Sequence, residues 1–258
     1  MRITCLAENT SHKEGIQAEH GLSLYIETQT HAILFDMGQS DLFIQNAEAL
    51  DIDLRGVDLA VLSHGHYDHG GGLSAFLSVN QTAPVYVSPY AFEPHYNAEG
   101  KYIGLDPSLS QHPRLIQTDE ELVIDSTLTL YHCNQKPLPY QADCGGMTVE
   151  RAGERCSDDF RHEQYLLIQE EGKTVLISGC SHKGILNIAT WFTPQVLVGG
   201  FHWMKHPLDE ALTETAARLN QYDTVFYTGH CTGTAQFEWV QDKMERLFYL
   251  SAGETVEL

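Results

Sequence analysis

The sequence has few basic residues and lacks any long apolar run. Only 15 Lys and Arg residues stand against 35 Asp and Glu residues, which gives a formal net charge of −20. Binding to nucleic acid depends on clustered positive side chains that neutralise phosphates, so this composition argues against a nucleic-acid partner. No apolar stretch approaches the roughly 20 residues that span a bilayer. We therefore expect a soluble protein that binds neither nucleic acid nor membrane.

The chain also lacks the marks of a secreted protein. Its start, MRITCLAENT, has no basic region followed by an apolar core, the pattern of a secretory signal. The cysteines are scattered, with neither a C-x-x-C pair nor the dense spacing of a disulfide framework. They are Cys5, Cys133, Cys144, Cys156, Cys180 and Cys231. We expect reduced cysteines and a cytoplasmic location.

The remaining composition fits one folded domain over residues 1–258. A hydrophobic fraction of 42% is ordinary for a globular chain, and no internal repeat or low-complexity linker interrupts it. Apolar, β-branched runs predict strands in the first and last thirds, with helices between them, as in a layered α/β protein. Two segments, around 91–118 and 134–161, are rich in Pro, Gly and aromatic residues. We predict irregular, lid-like loops there.

The stretch SHGHYDHGGG, residues 63–72, is the main chemical signal. It follows the predicted strand VDLAVL and contains four candidate ligands, which are His64, His66, Asp68 and His69. Imidazole nitrogens and carboxylates bind borderline-soft divalent ions such as zinc, and glycines let the backbone pass close to an ion. The alternative is a polar surface loop, but such loops are usually built from Ser, Asn, Asp and Gly. We predict one half of a metal site.

Further candidate ligands follow other predicted strands. Asp36 ends HAILF, Cys180 and His182 follow TVLIS, His202 follows QVLVGG and His230 follows TVFYTG. Ligand sites of α/β sheets lie beyond the carboxyl ends of the strands, so these distant residues are expected to converge on one pocket. Taken singly, each histidine is equally consistent with a hydrogen-bonded core residue. The prediction therefore depends on their joint placement.

Together these motifs resemble the metallo-β-lactamase superfamily. The resemblance is carried by LFDMG at 34–38, SHGHYDHGGG at 63–72, SGCSH at 178–182 and TGHC at 228–231. It implies an αββα sandwich with a metal site at one edge of two facing sheets. EHGLSLYIE, GCSHKGILNI, VGGFHW and GHCTG further resemble the branch that includes 7,8-dihydropterin-6-methyl-4-(β-D-ribofuranosyl)aminobenzene 5′-phosphate synthase-type proteins.

The resemblance also implies a set of metal ligands. It places His64 and His66 on a first ion, and Asp68, His69 and His230 on a second. The expected cofactor is zinc, as one or two divalent ions, with iron and manganese as alternatives.

Two positions compete for the third ligand of the first ion. His162 precedes the predicted hairpin EQYLLIQEEGKTVLISGC, where the superfamily usually supplies this ligand, but it lacks the usual flanking Thr and Gly. His182 belongs to the GCSH motif of the closer branch and is preferred. Cys180 stands where many dinuclear relatives have a bridging Asp, so it is either a thiolate ligand or a small apolar filler. This departure leaves the number of ions open.

Other residues are assigned supporting roles. Asp36 is expected to hydrogen-bond a metal-bound histidine and to fix its tautomer. His20 and His202 are expected to contact a small-molecule substrate, and a phosphorylated or otherwise anionic one is compatible with a metal site. Asp68 is expected to orient a metal-activated water as well as to bind metal.

We therefore expect a metal-dependent hydrolase-type enzyme, because a zinc-type ion lowers the pKa of bound water to about 7. A second interpretation is a pterin-methyl transferase, similar to dihydropteroate synthase, that releases pyrophosphate. In that case Tyr90, Phe92, Tyr96 and Tyr102 are candidates to stack on the pterin ring, and packing within a lid is an equally good interpretation of them. A third interpretation is a non-catalytic metal-binding protein. The sequence leaves the substrate and the oligomeric state open.

Overall fold

The computed structural model describes residues 1–142 and 145–258. Its strands and helices are, in chain order, β1 (Arg2–Ala7), β2 (Ser23–Glu27), β3 (Ala32–Phe35), α1 (Leu42–Ala49), β4 (Leu59–Val61), α2 (Tyr67–Gly70), α3 (Leu73–Val79), β5 (Val85–Val87), β6 (His95–Tyr96), β7 (Leu115–Gln117), β8 (Glu121–Val123), β9 (Leu128–Tyr131), β10 (Thr148–Arg151), β11 (Glu154–Ser157), β12 (Tyr165–Glu170), β13 (Lys173–Ile177), α4 (Ile185–Phe192), β14 (Val196–Val198), α5 (Glu210–Leu219), β15 (Val225–Thr228), α6 (Thr234–Val240), β16 (Leu247–Tyr249) and β17 (Thr255–Glu257). Five cysteines are unpaired in the part of the chain described. Cys144, also predicted to be reduced, lies outside the described residues.

Two seven-stranded sheets form the centre of the fold. The first has the strand order β17-β1-β2-β3-β4-β5-β7, and the second has the order β16-β15-β14-β13-β12-β9-β8. In the first sheet β3, β4, β5 and β7 run parallel, and in the second β13 to β16 do so. The carboxyl ends of parallel neighbours lie at the same edge of a sheet, which brings together side chains that follow each strand.

Alternation of side chains along the strands explains the layers. Ile33 and Phe35 of β3 face a core between the two sheets, as does Val175 of β13. The intervening Leu34 and Leu176 face outward into separate apolar clusters. These strands read as continuous apolar runs because both of their faces are buried.

Helices cover the outer face of each sheet. Phe43 of α1 and Phe76 of α3 pack on the first sheet. Ile188 of α4, Ala216 of α5 and Val240 of α6 pack on the second. The result is an αββα sandwich, which confirms the predicted fold class. Among the described residues, no helix has the length and apolar character needed to cross a membrane.

A third, small sheet lies in the segments predicted to be irregular. Its strand order is β11-β10-β6. β10 and β11 form a hairpin that turns at Ala152 and Gly153, with φ of 52° and 82°. The prediction of an irregular loop is therefore wrong for residues 148–157. These strands lack the alternating apolar pattern of a buried strand. Val149 is their one fully buried residue, and β11 is exposed throughout.

Candidate metal centre

The histidine-rich motif runs from the end of β4 into α2, and its glycines allow close backbone contacts. A Cβ atom on Gly65 would lie 2.1 Å from the carbonyl oxygen of Ala91, and one on Gly72 would lie 2.2 Å from that of Met37. Real Cβ atoms do not approach other atoms so closely. The glycines are therefore needed for steric reasons, and they let the motif fold tightly at the sheet edge.

Asp36 orients two histidines of the motif. One carboxylate oxygen accepts a hydrogen bond from the Ser63 backbone N–H at 2.7 Å. The other accepts from Ser63 Oγ and from His69 Nδ1, both at 2.6 Å. Because Ser63 Oγ donates its hydrogen to Asp36, it accepts from His64 Nδ1 at 2.8 Å. Both His64 and His69 therefore carry hydrogen on Nδ1 and present a bare Nε2 lone pair.

Asn9 holds His230 in the same tautomer. His230 Nδ1 donates to Asn9 Oδ1 at 2.8 Å, while Asn9 Nδ2 donates to the His230 carbonyl at 3.3 Å. The Gly21 N–H also donates to Asn9 Oδ1, which fixes the orientation of the amide. The His230 backbone N–H is held in turn by the buried carboxylate of Glu8. His230 Nε2 is therefore also a bare lone pair.

Four side chains converge at this point, and we call them the second group. They are Asp68, His69, Cys180 and His230. His69 Nε2 lies 3.1 Å from His230 Nε2 and 3.1 Å from Cys180 Sγ. Asp68 Oδ2 lies 3.3 Å from His230 Nε2 and 4.0 Å from His69 Nε2. Facing lone pairs repel unless a proton or a cation lies between them, so this arrangement favours a bound cation.

A first group lies beside the second and consists of His64, His66 and His182, whose ligand atoms all lie within 4.8 Å of one another. His64 Nε2 is 3.3 Å from His182 Nε2. Zinc–nitrogen bonds of about 2.0–2.1 Å at a tetrahedral angle place two nitrogens roughly 3.3 Å apart. The spacing of the imidazole nitrogens in both groups therefore fits a divalent ion. The rings of His64 and His69, one from each group, have centroids 4.1 Å apart.

His162 lies behind the first group and contacts other partners. Its Nδ1 accepts a hydrogen bond from the Gly65 N–H at 2.9 Å, and its Nε2 lies 3.4 Å from Asp158 Oδ2. The next residue, Glu163, accepts from the His182 backbone N–H at 2.7 Å. Of the two histidines that competed in the sequence, His182 faces His64 Nε2, whereas His162 supports the motif backbone.

Burial and neighbouring charges set the protonation of these side chains. Burial, aided by the surrounding histidines, holds the pKa of His64 and of His182 well below the usual value. Burial also opposes the charged form of His69, but the carboxylates of Asp36 and Asp68 raise its pKa overall. Burial favours protonation of Asp68, yet its pKa is held well below the usual range by His69 and other histidines. The neutral imidazoles of His64 and His182 and the ionised carboxylate of Asp68 are in the state that binds metal, whereas any proton on His69 Nε2 must leave when an ion binds.

A cavity of about 420 Å³ opens over both groups. His20 and His202, predicted to contact substrate, both line it. His20 Nε2 lies 3.2 Å from Asp68 Oδ2, and the His202 ring lies 4.4 Å from the His182 ring. An adjoining cavity of about 300 Å³ shares His182, His202 and His206 with the first.

The wall of this cavity differs from the sequence prediction. Its apolar part comes from Tyr67, Ile103, Met147 and Met204. The predicted stacking residues Tyr90, Phe92, Tyr96 and Tyr102 are not among its lining side chains in the described chain. The Tyr96 and Tyr102 rings pack edge to face, and the Tyr102 hydroxyl donates to the Leu105 carbonyl. The predicted ring-stacking role is therefore wrong, because these aromatic side chains have other packing partners: the Arg161 guanidinium lies over the Tyr90 ring, and Phe92 packs against the core of the first sheet.

Sequence analysis missed three residues that hold the site: Glu8, Asn9 and Glu163. Glu8 and Asn9 directly follow β1, so the strand-end rule that found Asp36 applies to them as well. Asn9 pairs with His230 across 221 positions, and no local pattern encodes that contact. Glu163 lies two residues before β12 and is fully buried, but its local sequence does not distinguish it from an exposed glutamate beside a strand.

Comparison with known proteins identifies the family. Residues 17–149 match the sequence model of the metallo-beta-lactamase superfamily. The chain belongs to this superfamily. Its members bind divalent metal ions and are mostly metal-dependent hydrolases.

Individual relatives agree with this family. An uncharacterized protein of Methanocaldococcus jannaschii is 30% identical over 241 residues, covering 90% of each chain. The 7,8-dihydropterin-6-methyl-4-(beta-D-ribofuranosyl)-aminobenzene-5'-phosphate synthase of the same organism is 25% identical, covering 100% of this chain and 96% of its own. The crystal structure of a metal-dependent hydrolase of the beta-lactamase superfamily superposes with a TM-score of 0.85 at 31% identity, covering 100% of this chain and 99% of its own.

Proposed function

We propose that this protein is a metal-dependent hydrolase that acts on a small, anionic molecule with a metal-activated water. The observation that carries the proposal is the convergence of histidine Nε2 atoms beneath the 420 Å³ cavity, 3.1 Å apart in the second group and 3.3 Å apart in the first. Those of His64, His69 and His230 are held as bare lone pairs by the hydrogen bonds at Nδ1. A hydrogen-bonded core would pair these nitrogens with donors instead.

The proposed ligands follow the two groups. The first ion would be held by His64, His66 and His182, and the second by Asp68, His69 and His230, with Cys180 as a further donor. Zinc is the ion that best suits imidazole, carboxylate and thiolate together. When bound, such an ion supplies a hydroxide nucleophile near neutral pH, because it lowers the pKa of water to about 7.

The chain's own residues then position that chemistry. Asp68 would accept a hydrogen bond from the nucleophile, and His20 would hold Asp68 in place through the 3.2 Å contact. Asp36 fixes the tautomer of His69, so that its Nε2 stays available.

The cavity also limits the substrate class. Its volume suits a small molecule rather than a polymer. Tyr67, Ile103 and Met204 offer an apolar wall, while Lys205 and His206 stand at the same cavity. In a chain with a net charge of −20, the Lys205 ammonium at this cavity favours a substrate with one flat or apolar part and one anionic group.

The test compares metal-loaded and metal-depleted protein on phosphodiester, phosphomonoester and carboxylic ester substrates. We expect turnover only with metal, and we expect the His64→Ala/His66→Ala double variant to lose metal and turnover together. His112→Ala, which changes a histidine outside both groups, is the matched control and should behave as wild type. Normal turnover by the metal-depleted double variant would show that the proposal is wrong.

A second candidate is transfer of a pterin-methyl group with release of pyrophosphate. It is favoured by the full-length similarity to the M. jannaschii synthase. Here the ions would hold a diphosphate and stabilise it as a leaving group. Pyrophosphate release that depends on an added arylamine would support transfer over hydrolysis. Metal binding without turnover on any of these substrates would instead favour a non-catalytic metal-binding protein.

A further inference from the structure

A buried cluster of His95, Asp158 and His162 lies directly behind His66. Asp158 Oδ2 lies 2.8 Å from His95 Nδ1 and 3.4 Å from His162 Nε2. The His66 ring is 5.5 Å from the His95 ring and 5.1 Å from the His162 ring, centroid to centroid. All four side chains are at most 4% exposed. Their composition is that of a metal site, so the first question is whether the cluster itself binds an ion.

The tautomer of His162 argues against an ion in this cluster. His162 Nδ1 accepts a hydrogen bond from the Gly65 N–H at 2.9 Å, so Nδ1 carries no hydrogen. A neutral imidazole then carries its hydrogen on Nε2, the atom that faces Asp158. A metal on Nε2 would require the imidazolate anion. Asp158 therefore holds the cluster without an ion: His95 Nδ1 donates to it, and the N–H at Nε2 of His162 lies 3.4 Å from the same carboxylate oxygen without making a hydrogen bond.

This assembly leaves one acceptor without a partner. His95 donates through Nδ1 to Asp158, so its Nε2 is a bare lone pair. His66 Nε2, His95 Nε2 and His162 Nε2 are all buried and have no hydrogen-bond partner among the residues described. The His162 ring lies nearly face to face with the His95 ring, at 3.9 Å and 35°, so its N–H does not point along the plane of His95 towards that lone pair. Buried polar atoms are rarely left unpaired. The two rings meet edge to face, at 77°, and His66 also lines the central cavity.

We propose that His66 donates a hydrogen bond from Nε2 to His95 Nε2 and thereby directs Nδ1 to the first ion. His95, held by Asp158, is then a positioning residue for a ligand, and Asp158, His95 and His66 form one chain. Such a chain is a longer form of the carboxylate–histidine–metal arrangement that orients ligands and increases their basicity. The inference rests on the proposed metal centre and goes beyond it, since neither His95 nor Asp158 was assigned a role there.

The small third sheet positions the residues of this Asp158–His95–His66 chain. His95 belongs to β6, and Asp158 directly follows β11. Phe160, two residues later, stacks on the His182 ring with centroids 4.5 Å apart. The third sheet therefore contacts two residues of the first group and is a fixed wall of the site.

Two isosteric variants of His95 test the proposal. Gln places an amide oxygen near the position of His95 Nε2 and keeps an acceptor for His66, whereas Asn keeps the donor to Asp158 and lacks that acceptor. We expect His95→Asn to weaken binding of the first ion about 10- to 100-fold, and His95→Gln to remain within about threefold of wild type. The measurement is competition for zinc or cobalt against a chromophoric chelator, which does not depend on turnover.

The control is His31→Asn, because His31 pairs with Asp125 at 2.6 Å at the far end of β3 and should leave both affinities unchanged. Equal weakening by His95→Asn and His95→Gln, or no weakening by either, would overturn the positioning role. Loss of a whole ion with unchanged affinity for the others would also overturn it, by showing that the cluster binds metal. If wild-type protein binds no ion, the proposed function itself fails.

Asp158→Asn offers a second test if the His95 variants do not fold. We expect this variant to lower the affinity for the first ion and to leave the affinity for the second ion unchanged.

Discussion

His64 Nε2 lies 3.3 Å from His182 Nε2, although the two residues are 118 positions apart. His64 follows β4 of the first sheet, and His182 follows β13 of the second. The sandwich therefore builds the first group across its two sheets. Glu163 fixes the position of His182, because its carboxylate accepts a hydrogen bond from the His182 backbone N–H.

This relationship predicts different outcomes for the two competing histidines. His182→Ala should remove one of two bound ions, because it deletes a donor that faces His64. His162→Gln should keep both ions, since the amide can still accept from Gly65 and donate to Asp158. Metal content after dialysis against zinc checks this. Two ions in His182→Ala, or a missing ion in His162→Gln, would reverse the assignment.

Asp36 should control the affinity of the second group. Asp36→Asn replaces an oxygen that accepts from His69 Nδ1 with either an amide donor or a weaker acceptor. We expect binding of the second ion to weaken about 10- to 100-fold. Asp58→Asn is the control, because Asp58 accepts a backbone N–H from Ala32 at the opposite end of β3. Chelator competition measures both, and equal affinities in the two variants would argue against the orienting role.

Gly65 should be intolerant of any side chain. A Cβ there would lie 2.1 Å from the Ala91 carbonyl oxygen, whereas a Cβ on Gly56 meets nothing within 4 Å. We expect Gly65→Ala to lower the free energy of unfolding by about 3 kcal/mol. Gly56→Ala should change it by less than about 0.5 kcal/mol. Urea unfolding of metal-free protein tests the pair, and similar stabilities would show that the motif backbone can shift.

Asp125 should contribute pH-dependent stability away from the metal centre. Burial opposes ionisation, but hydrogen bonds from Thr127, His31 and Leu128 lower the pKa of Asp125 to about 2. Because the folded-state pKa lies below the unfolded value of about 3.9, the contribution is present at neutral pH and is lost as the pH falls towards 2.

Asp125→Asn isolates this charge, since the amide oxygen can still accept from the turn. We expect a loss of about 1 kcal/mol at neutral pH, a value reduced for the partial exposure of the carboxylate, and a smaller loss at about pH 3. Urea unfolding across this range measures it. A loss that stays constant with pH would contradict an electrostatic origin.

The predicted strands and helices were largely recoverable from the sequence because buried strands and amphipathic helices have strong apolar periodicities. VDLAVL and TVLIS are examples, since both faces of these strands are covered. The hairpin of β10 and β11 was not predicted from the sequence, because it lies on the surface, where side-chain burial does not impose an apolar pattern.

Spaced histidines, an aspartate and strand-end ligands predict a divalent-metal site from the sequence alone, since their type and local spacing are read along the chain. Which of these side chains face each other depends on the three-dimensional fold. Whether His182 or His162 meets His64, and whether His95 supports His66, depends on sheet packing and on tautomers. Hydrogen bonds between residues far apart in the chain fix those tautomers, and no local pattern records them.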